Sequence, residues 1–478
     1  MIELSLSEIV QATGGTLLLA PGDTPETLVS GESQTDSREV RPGQLFFARR
    51  GEDTDGHLFA GKAVRAGAAA LIVERELAAA DLGLDEGSPA ATQIIVADST
   101  DALGALATLV IARLRERGAL TIVGITGSNG KTTTKNLVES MAARLGPTVA
   151  NEKSFNNEVG GPLTMLKATT ETETLVAEMG ASAEGEIARL TAMAQPHIGV
   201  VLSVGLAHAG EFGGIEATFR AKSEMVKSLD ASGVAVLNRD DPRVAQMAEL
   251  TQARAFWFGQ HPEADVRASD IEPSASGTTF TLHAAGESRQ VAFRVLGEHH
   301  VMNALAAAAV GLTLGLSLDA VVAELEAATL AAPGRMQVLG GRDGITIIND
   351  AYNASPDSMS AAIRTLAQIG KPGARTVAVL GHMTELGEQT IEQHLRIGLQ
   401  AVRLRISELV VVGREARDLH ISAINEGSWD GESVFFETHD EAFEYLLETL
   451  QADDTVLVKS SNAAGLQALG DRLGEAYA

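Results

Sequence analysis

The chain has 478 residues, a length that suits about three domains, each able to bury its own core. Hydrophobic residues make up 45% of the chain and charged residues 21%, which is the balance of a soluble globular protein. The formal net charge of −26 argues against a nucleic-acid partner, because the phosphate backbone would be repelled. The chain contains no cysteine, so disulfides and thiolate catalysis are excluded.

The N-terminus lacks a basic region followed by an apolar stretch, so no signal peptide is predicted. The longest apolar run, residues 304–318, is too short to span a bilayer and is interpreted as a buried helix. We therefore expect a cytoplasmic protein without membrane insertion.

Residues 1–97 form a first unit with short predicted strands at 44–48, 70–74 and 93–98, separated by turn signals. Before the first of these strands lies a polar cluster that could hold a polar ligand. Its members are Thr35, Asp36, Ser37 and Arg38. A capped turn ahead of a strand is the alternative, and the residues by themselves favour it.

A Gly-rich turn, Gly124-Ile-Thr-Gly-Ser-Asn-Gly-Lys-Thr-Thr-Thr134, follows an apolar strand at 119–125 and precedes a helix that starts near Lys131. This order is typical of a phosphate-binding loop, in which backbone N–H groups and the helix N-terminus attract anions. Lys131 could reach the terminal phosphates, and Thr132 could place its hydroxyl on Mg2+. The loop is a variant, because Ile125 stands where the strict pattern has its first glycine. An ordinary strand-to-helix turn is the alternative.

Residues 98–331 continue with alternating strands and helices. Glu178 ends a predicted strand at 174–179, and His208 closely follows another at 198–204. Ligands of open α/β sheets bind at the carboxyl ends of the strands, so the pair suggests Mg2+ ligation. Capping or solvation is the alternative for each residue alone. Lys222 lies at the start of a helical pattern, where a solvated lysine is the favoured interpretation.

Residues 297–300 are interpreted as a turn that leads into a helix from Val301. Asn303 at that helix start could cap the helix or touch a base, and capping is the default.

Residues 332–478 form a third unit with predicted strands at 346–349, 376–380, 409–412, 434–436 and 456–458. Helical patterns separate them, which predicts a Rossmann-like domain with a mainly parallel sheet. The unit lacks Gly-x-Gly-x-x-Gly, so dinucleotide binding is not indicated. The first strand leads into Asn349-Asp-Ala-Tyr-Asn-Ala-Ser-Pro-Asp-Ser-Met359, a loop dense in binding side chains.

In this order and spacing the motifs resemble the Mur ligase family, the ATP-dependent amide-bond ligases of peptidoglycan precursor synthesis. The stretches that carry the resemblance are residues 35–38 with 42–46 and 55–59, the loop 124–133, residues 154–164 with 178–181, residues 207–208 with 212–216 and 221–224, and residues 333–336 with 350–359 and 380–387. The resemblance implies three α/β domains: a UDP-sugar-binding domain (1–97), a central ATP-binding domain (98–331) and a C-terminal domain (332–478).

Within the family, Asp350-Ala-Tyr-Asn353 favours the branch that joins D-alanyl-D-alanine to UDP-N-acetylmuramoyl-tripeptide. The resemblance then implies ATP and Mg2+ as cofactors, small-molecule substrates and a monomer. It implies catalytic roles for Lys131, Lys222, His208 and Glu178, with Lys222 carbamylated so that it becomes an anionic metal ligand beside Thr132, Glu178 and His208.

The resemblance also assigns binding residues. For ATP these are Gly127, Ser128, Asn129, Gly130, Lys131, Thr132, Thr133, Asn303, Arg335 and Asp350. For the substrates they are Thr35, Asp36, Ser37, Arg38, Asn156, Asn157, Thr164, Tyr352 and Asn353.

The chain departs from the family pattern at several places. Ser203 replaces an Asn before the metal-site His, Ser355 replaces an Asn, and His382 replaces an acid. A late Lys-Gly-Ser-Arg motif becomes Lys459-Ser-Ser-Asn462, which puts an arginine contact there in doubt.

Alternatives remain open. A ligase that adds a diamino acid, or a folylpolyglutamate synthetase, would share the ATP loop. The missing Asp-Asn-Pro-Arg motif speaks against the first, and Thr35-Asp-Ser-Arg38 against the second. A nucleotide-binding regulator that has lost ligation is the alternative from another class, and it would bind ATP without releasing phosphate.

Overall fold

The structure, a computed structural model, describes residues 1–51, 54–84, 91–152, 154–206, 214–329, 333–426 and 433–478. Helices and strands alternate through the three units expected from the sequence. Among the described residues, no helix combines the length and the apolar character needed to cross a bilayer.

The N-terminal unit is a small α/β layer. Strands β4 to β7 are parallel, β2 is antiparallel to β7, and the sheet order is β2-β7-β6-β5-β4, while β1 pairs with β3. Its elements are β1 (Leu4–Ser5), α1 (Leu6–Thr13), β2 (Thr16–Leu18), β3 (Leu28–Val29), β4 (Ser33–Gln34), β5 (Leu45–Phe47), α2 (Ala60–Arg65), β6 (Ala70–Val73) and β7 (Gln93–Ile95).

A long helix, α3 (Ser99–Glu116), joins the first unit to the second. The Asp98 carboxylate caps it by accepting hydrogen bonds from the backbone N–H groups of Thr100 (2.7 Å) and Asp101 (2.8 Å). The helix packs on α1, β5 and β6 of the N-terminal unit and also on α5 and α6 of the central unit. Because α3 belongs to both cores, the domain boundary at residue 97 stays a prediction.

The central unit has a largely parallel sheet with the order β16-β15-β14-β13-β12-β11-β8-β10-β9. Its elements are β8 (Thr121–Thr126), α4 (Lys131–Ala143), β9 (Thr148–Ala150), α5 (Gly160–Met165), β10 (Thr174–Glu178), α6 (Glu186–Ala194), β11 (Ile198–Val201), α7 (Ile215–Lys227), β12 (Val234–Asn238), α8 (Pro242–Gln246), β13 (Arg254–Gly259), β14 (Val266–Ser274), β15 (Gly277–Ala284), β16 (Glu287–Phe293), α9 (Glu298–Thr313) and α10 (Leu318–Ala327).

Two sequence interpretations in this unit are wrong. Residues 297–300 are not a turn, because α9 already begins at Glu298, after Gly297 with its positive φ of 97°. The helix expected at 304–318 also ends at Thr313, and α10 begins at Leu318. Strands β14 to β16 were not predicted, and they form an antiparallel meander that extends the parallel sheet.

The C-terminal unit is Rossmann-like, with the sheet order β17-β18-β22-β19-β20-β21 and only β17 antiparallel among these strands. Helices α11, α12 and α13 cover one face, and α14 and α15 the other. Its elements are β17 (Gln337–Gly340), β18 (Thr346–Asn349), α11 (Pro356–Ile369), β19 (Thr376–Leu380), α12 (Thr390–Arg403), β20 (Glu408–Val412), α13 (Arg417–Asn425), β21 (Ser433–Phe436), α14 (His439–Thr449), β22 (Thr455–Lys459) and α15 (Leu466–Ala476).

The carboxyl ends of the two parallel sheets face one another. Ser128 after β8 and Glu178 at the end of β10 line one wall of a cleft, and Asp350 after β18 and Lys459 at the end of β22 line the other. Parallel sheets place their binding loops at this edge, so the fold brings two such edges together at one site.

The meander can be tested through Phe280 in β15, whose side chain is fully buried and meets the Phe293 ring edge-on, with 6.4 Å between ring centroids. Phe280→Ala should lower the free energy of unfolding by about 3–5 kcal/mol, because a large cavity opens in the central core. Urea unfolding measures the change. The matched control is Ile424→Ala on α13, where the side chain is 54% exposed and the cost should stay near 0.5 kcal/mol. Equal losses for both variants would contradict the packing described.

Candidate active site

A cleft of about 460 Å³ lies between the central and C-terminal units. The central unit contributes the phosphate loop, Asn156, Glu178, Ser203 and the start of α9, and the C-terminal unit contributes the loop after β18 and Lys459. Of the residues predicted to bind ATP, the cleft is lined by Ser128, Asn129, Gly130, Lys131, Thr132, Thr133, Asn303, Arg335 and Asp350.

The glycines of the phosphate loop are required by its backbone. Gly127 and Gly130 have φ of 153° and 83°, conformations that residues with a Cβ rarely adopt. A Cβ on Gly130 would also lie 2.1 Å from the Asn303 Oδ1 atom. Helix α4 starts at Lys131 directly after this turn, so its first backbone N–H groups point into the cleft as an anion-binding terminus.

Lys131 folds back over its own loop, where its Nζ donates to the Gly127 carbonyl at 2.7 Å. Burial lowers the pKa of Lys131, the carboxylate of Glu178 opposes that shift, and Arg335 adds to it. The cation of Lys131 against the loop, with the cation of Arg335 near it, is well suited to bind a polyphosphate.

Glu178 is 1% exposed at the end of β10. Asn156 donates to its Oε1 atom at 2.6 Å, and the Glu178 N–H donates to Asn151 Oδ1 at 2.6 Å. Within the described residues, the buried Oε2 atom has no hydrogen-bond partner. A buried carboxylate oxygen without a partner is costly, so its position fits a bound cation.

Lys222 lies in the middle of α7 with 1% of its surface exposed. The expectation of a solvated surface lysine is therefore wrong, and α7 packs on β8, β11 and α6. Burial lowers the pKa of Lys222 to about 7, and the charge of Lys131 contributes to the shift. A large share of this amine is neutral at physiological pH. His208, predicted from the same resemblance, lies outside the described residues.

Arg335 and Tyr352 cross from the C-terminal unit to the phosphate loop. The guanidinium of Arg335 stacks on the Tyr352 ring at 4.2 Å from its centroid, and its Nη2 atom donates to Thr132 Oγ1 at 3.3 Å. Ser154 joins this group, since it accepts from both Arg335 Nη2 and the Tyr352 hydroxyl at 3.3 Å. The sequence analysis missed Ser154 as a site residue, although it stands in the 154–164 stretch.

Asp350 and Asn353 form hydrogen bonds within the C-terminal unit. The Asp350 Oδ2 atom pairs with Lys459 Nζ at 2.6 Å, and its Oδ1 atom accepts from the Met336 N–H at 3.0 Å. Lys459 also donates to the Asn353 carbonyl at 3.0 Å. Lys459 therefore keeps a structural role in the cleft wall despite the altered residues that follow it.

Asn303 does not cap its helix, because it lies in the second turn of α9 rather than at its start. Its side-chain amide donates to His300 Nδ1 at 3.1 Å, while its Oδ1 atom occupies the space that a side chain on Gly130 would fill. Burial lowers the pKa of His300 well below its usual value, which keeps the ring neutral and its Nδ1 able to accept. His300 was missed, and its position three residues before Asn303 on a helix was the available signal.

The remaining substrate predictions fare differently. Asn157 Oδ1 accepts from the Gly160 N–H at 3.0 Å just before α5, and buried Thr164 donates to the Gly160 carbonyl at 2.8 Å. Both side chains form hydrogen bonds to the backbone of Gly160, and neither lines the cleft. A substrate role for Asn157 and Thr164 stays a prediction.

The polar cluster of the first unit forms a turn. Arg38 donates through its backbone N–H to Asp36 Oδ1 at 2.9 Å and through Nη2 to Asp36 Oδ2 at 2.6 Å. These hydrogen bonds lower the pKa of Asp36. The Arg38 side chain is 83% exposed, so the turn leaves it open to solvent. A ligand role for Thr35, Asp36, Ser37 and Arg38 stays a prediction.

Comparison with known proteins agrees with this geometry. Three family models match in order: "Mur ligase family, catalytic domain" over 33–111, "Mur ligase middle domain" over 125–311 and "Mur ligase, glutamate ligase domain" over 334–462. Fold and cleft thus define a three-domain, nucleotide-dependent ligase. The chain belongs to the Mur ligase family.

Similar proteins share its full length. The UDP-N-acetylmuramoyl-tripeptide–D-alanyl-D-alanine ligase of Mycobacterium tuberculosis is 43% identical over 500 residues, covering 99% of this chain and 98% of that protein. A crystal structure of MurF from Acinetobacter baumannii matches with a TM-score of 0.87 and 32% identity over 99% of both chains. The MurF ligase of Thermotoga maritima in complex with ADP matches with a TM-score of 0.80 and 27% identity, covering 93% of this chain and 97% of that one.

The position of Lys131 predicts its importance. Lys131→Ala should lower the rate of phosphate release from ATP by about 100-fold or more, because a charge aimed at the phosphates is lost. A colorimetric phosphate assay measures the rate. Lys227→Ala, an exposed lysine at the end of α7, serves as the control and should keep the wild-type rate. Wild-type turnover of Lys131→Ala would show that the loop does not serve ATP.

Proposed function

We propose that the protein joins D-alanyl-D-alanine to UDP-N-acetylmuramoyl-tripeptide, with ATP converted to ADP and phosphate, and so makes UDP-N-acetylmuramoyl-pentapeptide for peptidoglycan. The observation that carries the ligase chemistry is the phosphate loop facing Arg335 and Asp350 across one cleft. Full-length similarity to ligases of that name supports the choice of substrates.

The reaction needs a carboxylate to gain a leaving group. An oxygen of the tripeptide's terminal carboxylate attacks the γ-phosphorus, the bond from that phosphorus to the β-phosphate oxygen breaks, and ADP leaves. The amine of D-alanyl-D-alanine then attacks the carbonyl carbon of the acyl phosphate. Phosphate departs with the carboxylate oxygen, and the nitrogen loses its extra proton, which completes the amide.

Several groups of this chain oppose the repulsion between the carboxylate and the γ-phosphate. Lys131, Arg335 and the first residues of α4 all line the cleft in which the negative charge would build up. Fixed groups of this kind need no rearrangement during the reaction. Correct placement of both reactants can supply about 7–11 kcal/mol of the barrier.

The site also suits Mg2+. Thr132 and Glu178 would hold the ion, together with His208 and a carbamylated Lys222, and the unpartnered Oε2 atom of Glu178 supports Glu178 as a donor. When bound, Mg2+ would supply positive charge that offsets the negative charge of the phosphates and the carboxylate. Oxygen ligands at the end of a parallel strand are the kind that this hard cation prefers.

Lys222 meets a chemical condition for carbamylation. Only the neutral amine can attack CO2, and the attack yields a carbamate anion and one released proton. Because burial lowers the pKa of Lys222 to about 7, neutral amine is abundant at physiological pH. Carbamylation would replace a buried cation beside Lys131 with an anion, which removes a like-charge repulsion.

The other two domains hold the substrates. The N-terminal domain binds the UDP end, with the turn of Thr35 to Arg38 as its polar contact, and the C-terminal domain binds D-alanyl-D-alanine near Tyr352 and Asn353. The C-terminal domain also covers the cleft and keeps water from the acyl phosphate. The cytoplasmic location and the monomeric state expected from the sequence stay predictions.

The first experiment is a substrate-dependence assay. Phosphate release from ATP should require both UDP-N-acetylmuramoyl-tripeptide and D-alanyl-D-alanine, and mass spectrometry should find UDP-N-acetylmuramoyl-pentapeptide. Release supported by a single amino acid in place of the dipeptide would overturn the choice of acceptor. ATP binding without release under any of these conditions would overturn the ligase activity itself.

Lys222→Ala provides a separate prediction. The variant should lose most of its turnover, and short carboxylic acids added to the assay should restore part of it by replacing the carbamate. Because the neutral amine forms above pH 7, wild-type protein stripped of CO2 and then resupplied with the same concentration of dissolved CO2 at each pH should regain activity faster at pH 8 than at pH 6. Full activity of Lys222→Ala would contradict a role for this side chain.

A further inference from the structure

The backbone segment 203–206, which follows β11, lies directly against the phosphate loop. The Ser128 N–H donates to the Ser203 carbonyl at 3.0 Å. The Gly205 N–H donates to Ser128 Oγ at 2.9 Å, and Ser128 Oγ donates to the Gly205 carbonyl at 3.3 Å. These hydrogen bonds therefore couple the conformation of segment 203–206 to that of the phosphate loop.

The other side of the segment is held by two carboxylates. Asp241 of the central domain accepts from the Val204 N–H at 2.8 Å. Asp357 of the C-terminal domain accepts from the Leu206 N–H through its Oδ2 atom at 3.1 Å. The second contact spans the cleft, so it exists only while the C-terminal domain is docked on the central domain.

Asp357 is placed by the start of α11. It lies in the first turn of that helix, directly after Ser355 and Pro356, where a carboxylate is stabilised by the helix N-terminus. The Ser355 hydroxyl donates to Asn129 Oδ1 of the phosphate loop at 3.0 Å. The start of α11 thus reaches the loop directly through Ser355 and indirectly through Asp357 and segment 203–206.

Gly205 leaves the space that the carboxylate occupies. A Cβ on Gly205 would lie 2.2 Å from Asp357 Oδ2, whereas the next residue in its way, Ser128, would be 3.6 Å off. The backbone of Gly205 is not in the left-handed region, so the absence of a side chain matters here for space. An added methyl group at this position would therefore collide with the Asp357 carboxylate, whereas its contact with Ser128 would be an ordinary one.

We propose that Asp357 is a positioning residue that couples docking of the C-terminal domain to the shape of the phosphate loop. Its carboxylate fixes segment 203–206 against Ser128, and the loop then presents its N–H groups to the triphosphate in one conformation. The proposal rests on the proposed function, because it assigns the residue to ATP use by the ligase. It predicts that Asp357 acts through Gly205 and Leu206 rather than by touching the substrate carboxylate.

The test is a double-mutant cycle on Gly205→Ala and Asp357→Ala, measured both as kcat/KM for ATP and as affinity for a non-hydrolysable ATP analogue. Each single variant should lose about tenfold in both measurements, the usual worth of a hydrogen bond to a charged group. The double variant should be no worse than Asp357→Ala alone within about twofold. Losses that multiply to about 100-fold, or no loss in Asp357→Ala, would overturn the proposal.

Two further variants keep the test decisive. Asp357→Asn retains an oxygen acceptor for the Leu206 N–H and should recover most of the loss seen in Asp357→Ala, whereas an equal loss in both would overturn the assigned contact. Asp440→Ala, at the matching first-turn position of α14 with an exposed side chain, should behave as wild type. If wild-type protein released no phosphate, the proposed function would fail, and the cycle on analogue affinity would still decide the role of Asp357.

Discussion

The reaction assigned to this cleft must bring a carboxylate against a triphosphate, and the repulsion between these anions is the constraint that shapes the site. The chain as a whole makes the problem harder, because its net charge is −26. Positive potential is therefore concentrated locally, on Lys131 under its loop, on Arg335 across the cleft and on the N–H groups that open α4. Glycines at 127 and 130 make that concentration possible, since other residues rarely adopt their backbone angles.

Dividing the site between two domains follows from the same constraint. Charges act strongly only where water is excluded, yet large anionic substrates must still enter. Arg335 donates directly to Thr132 and Tyr352 donates to Ser154 at one end of the phosphate loop, and Ser355 donates to Asn129 at the other. These contacts form only when the C-terminal domain covers the cleft. Docking thus completes the positive site and closes it to water together.

Local features of the fold were predictable from the sequence. The phosphate loop has fixed spacing and glycines, and the strands 174–178, 346–349 and 376–380 have apolar residues at their centres, so their signals are contained in a few residues. Long-range features were not. The burial of Lys222 depends on how α7 packs, and Lys459 meets Asp350 from 109 residues away. The sequence also does not show that the Thr164 hydroxyl donates to the carbonyl four residues earlier. Asp357 escaped notice for a related reason, since its partners Gly205 and Leu206 carry no chemical signal.

The central claim is that the protein activates a carboxylate by transferring phosphate to it, and an oxygen-tracing measurement tests it most directly. UDP-N-acetylmuramoyl-tripeptide with both oxygens of its terminal carboxylate labelled with oxygen-18 is turned over with ATP and D-alanyl-D-alanine. The account predicts that one labelled oxygen appears in the released phosphate and the other remains in the new amide. Release of unlabelled phosphate would mean that water, not the carboxylate, takes the γ-phosphoryl group, and would contradict the account.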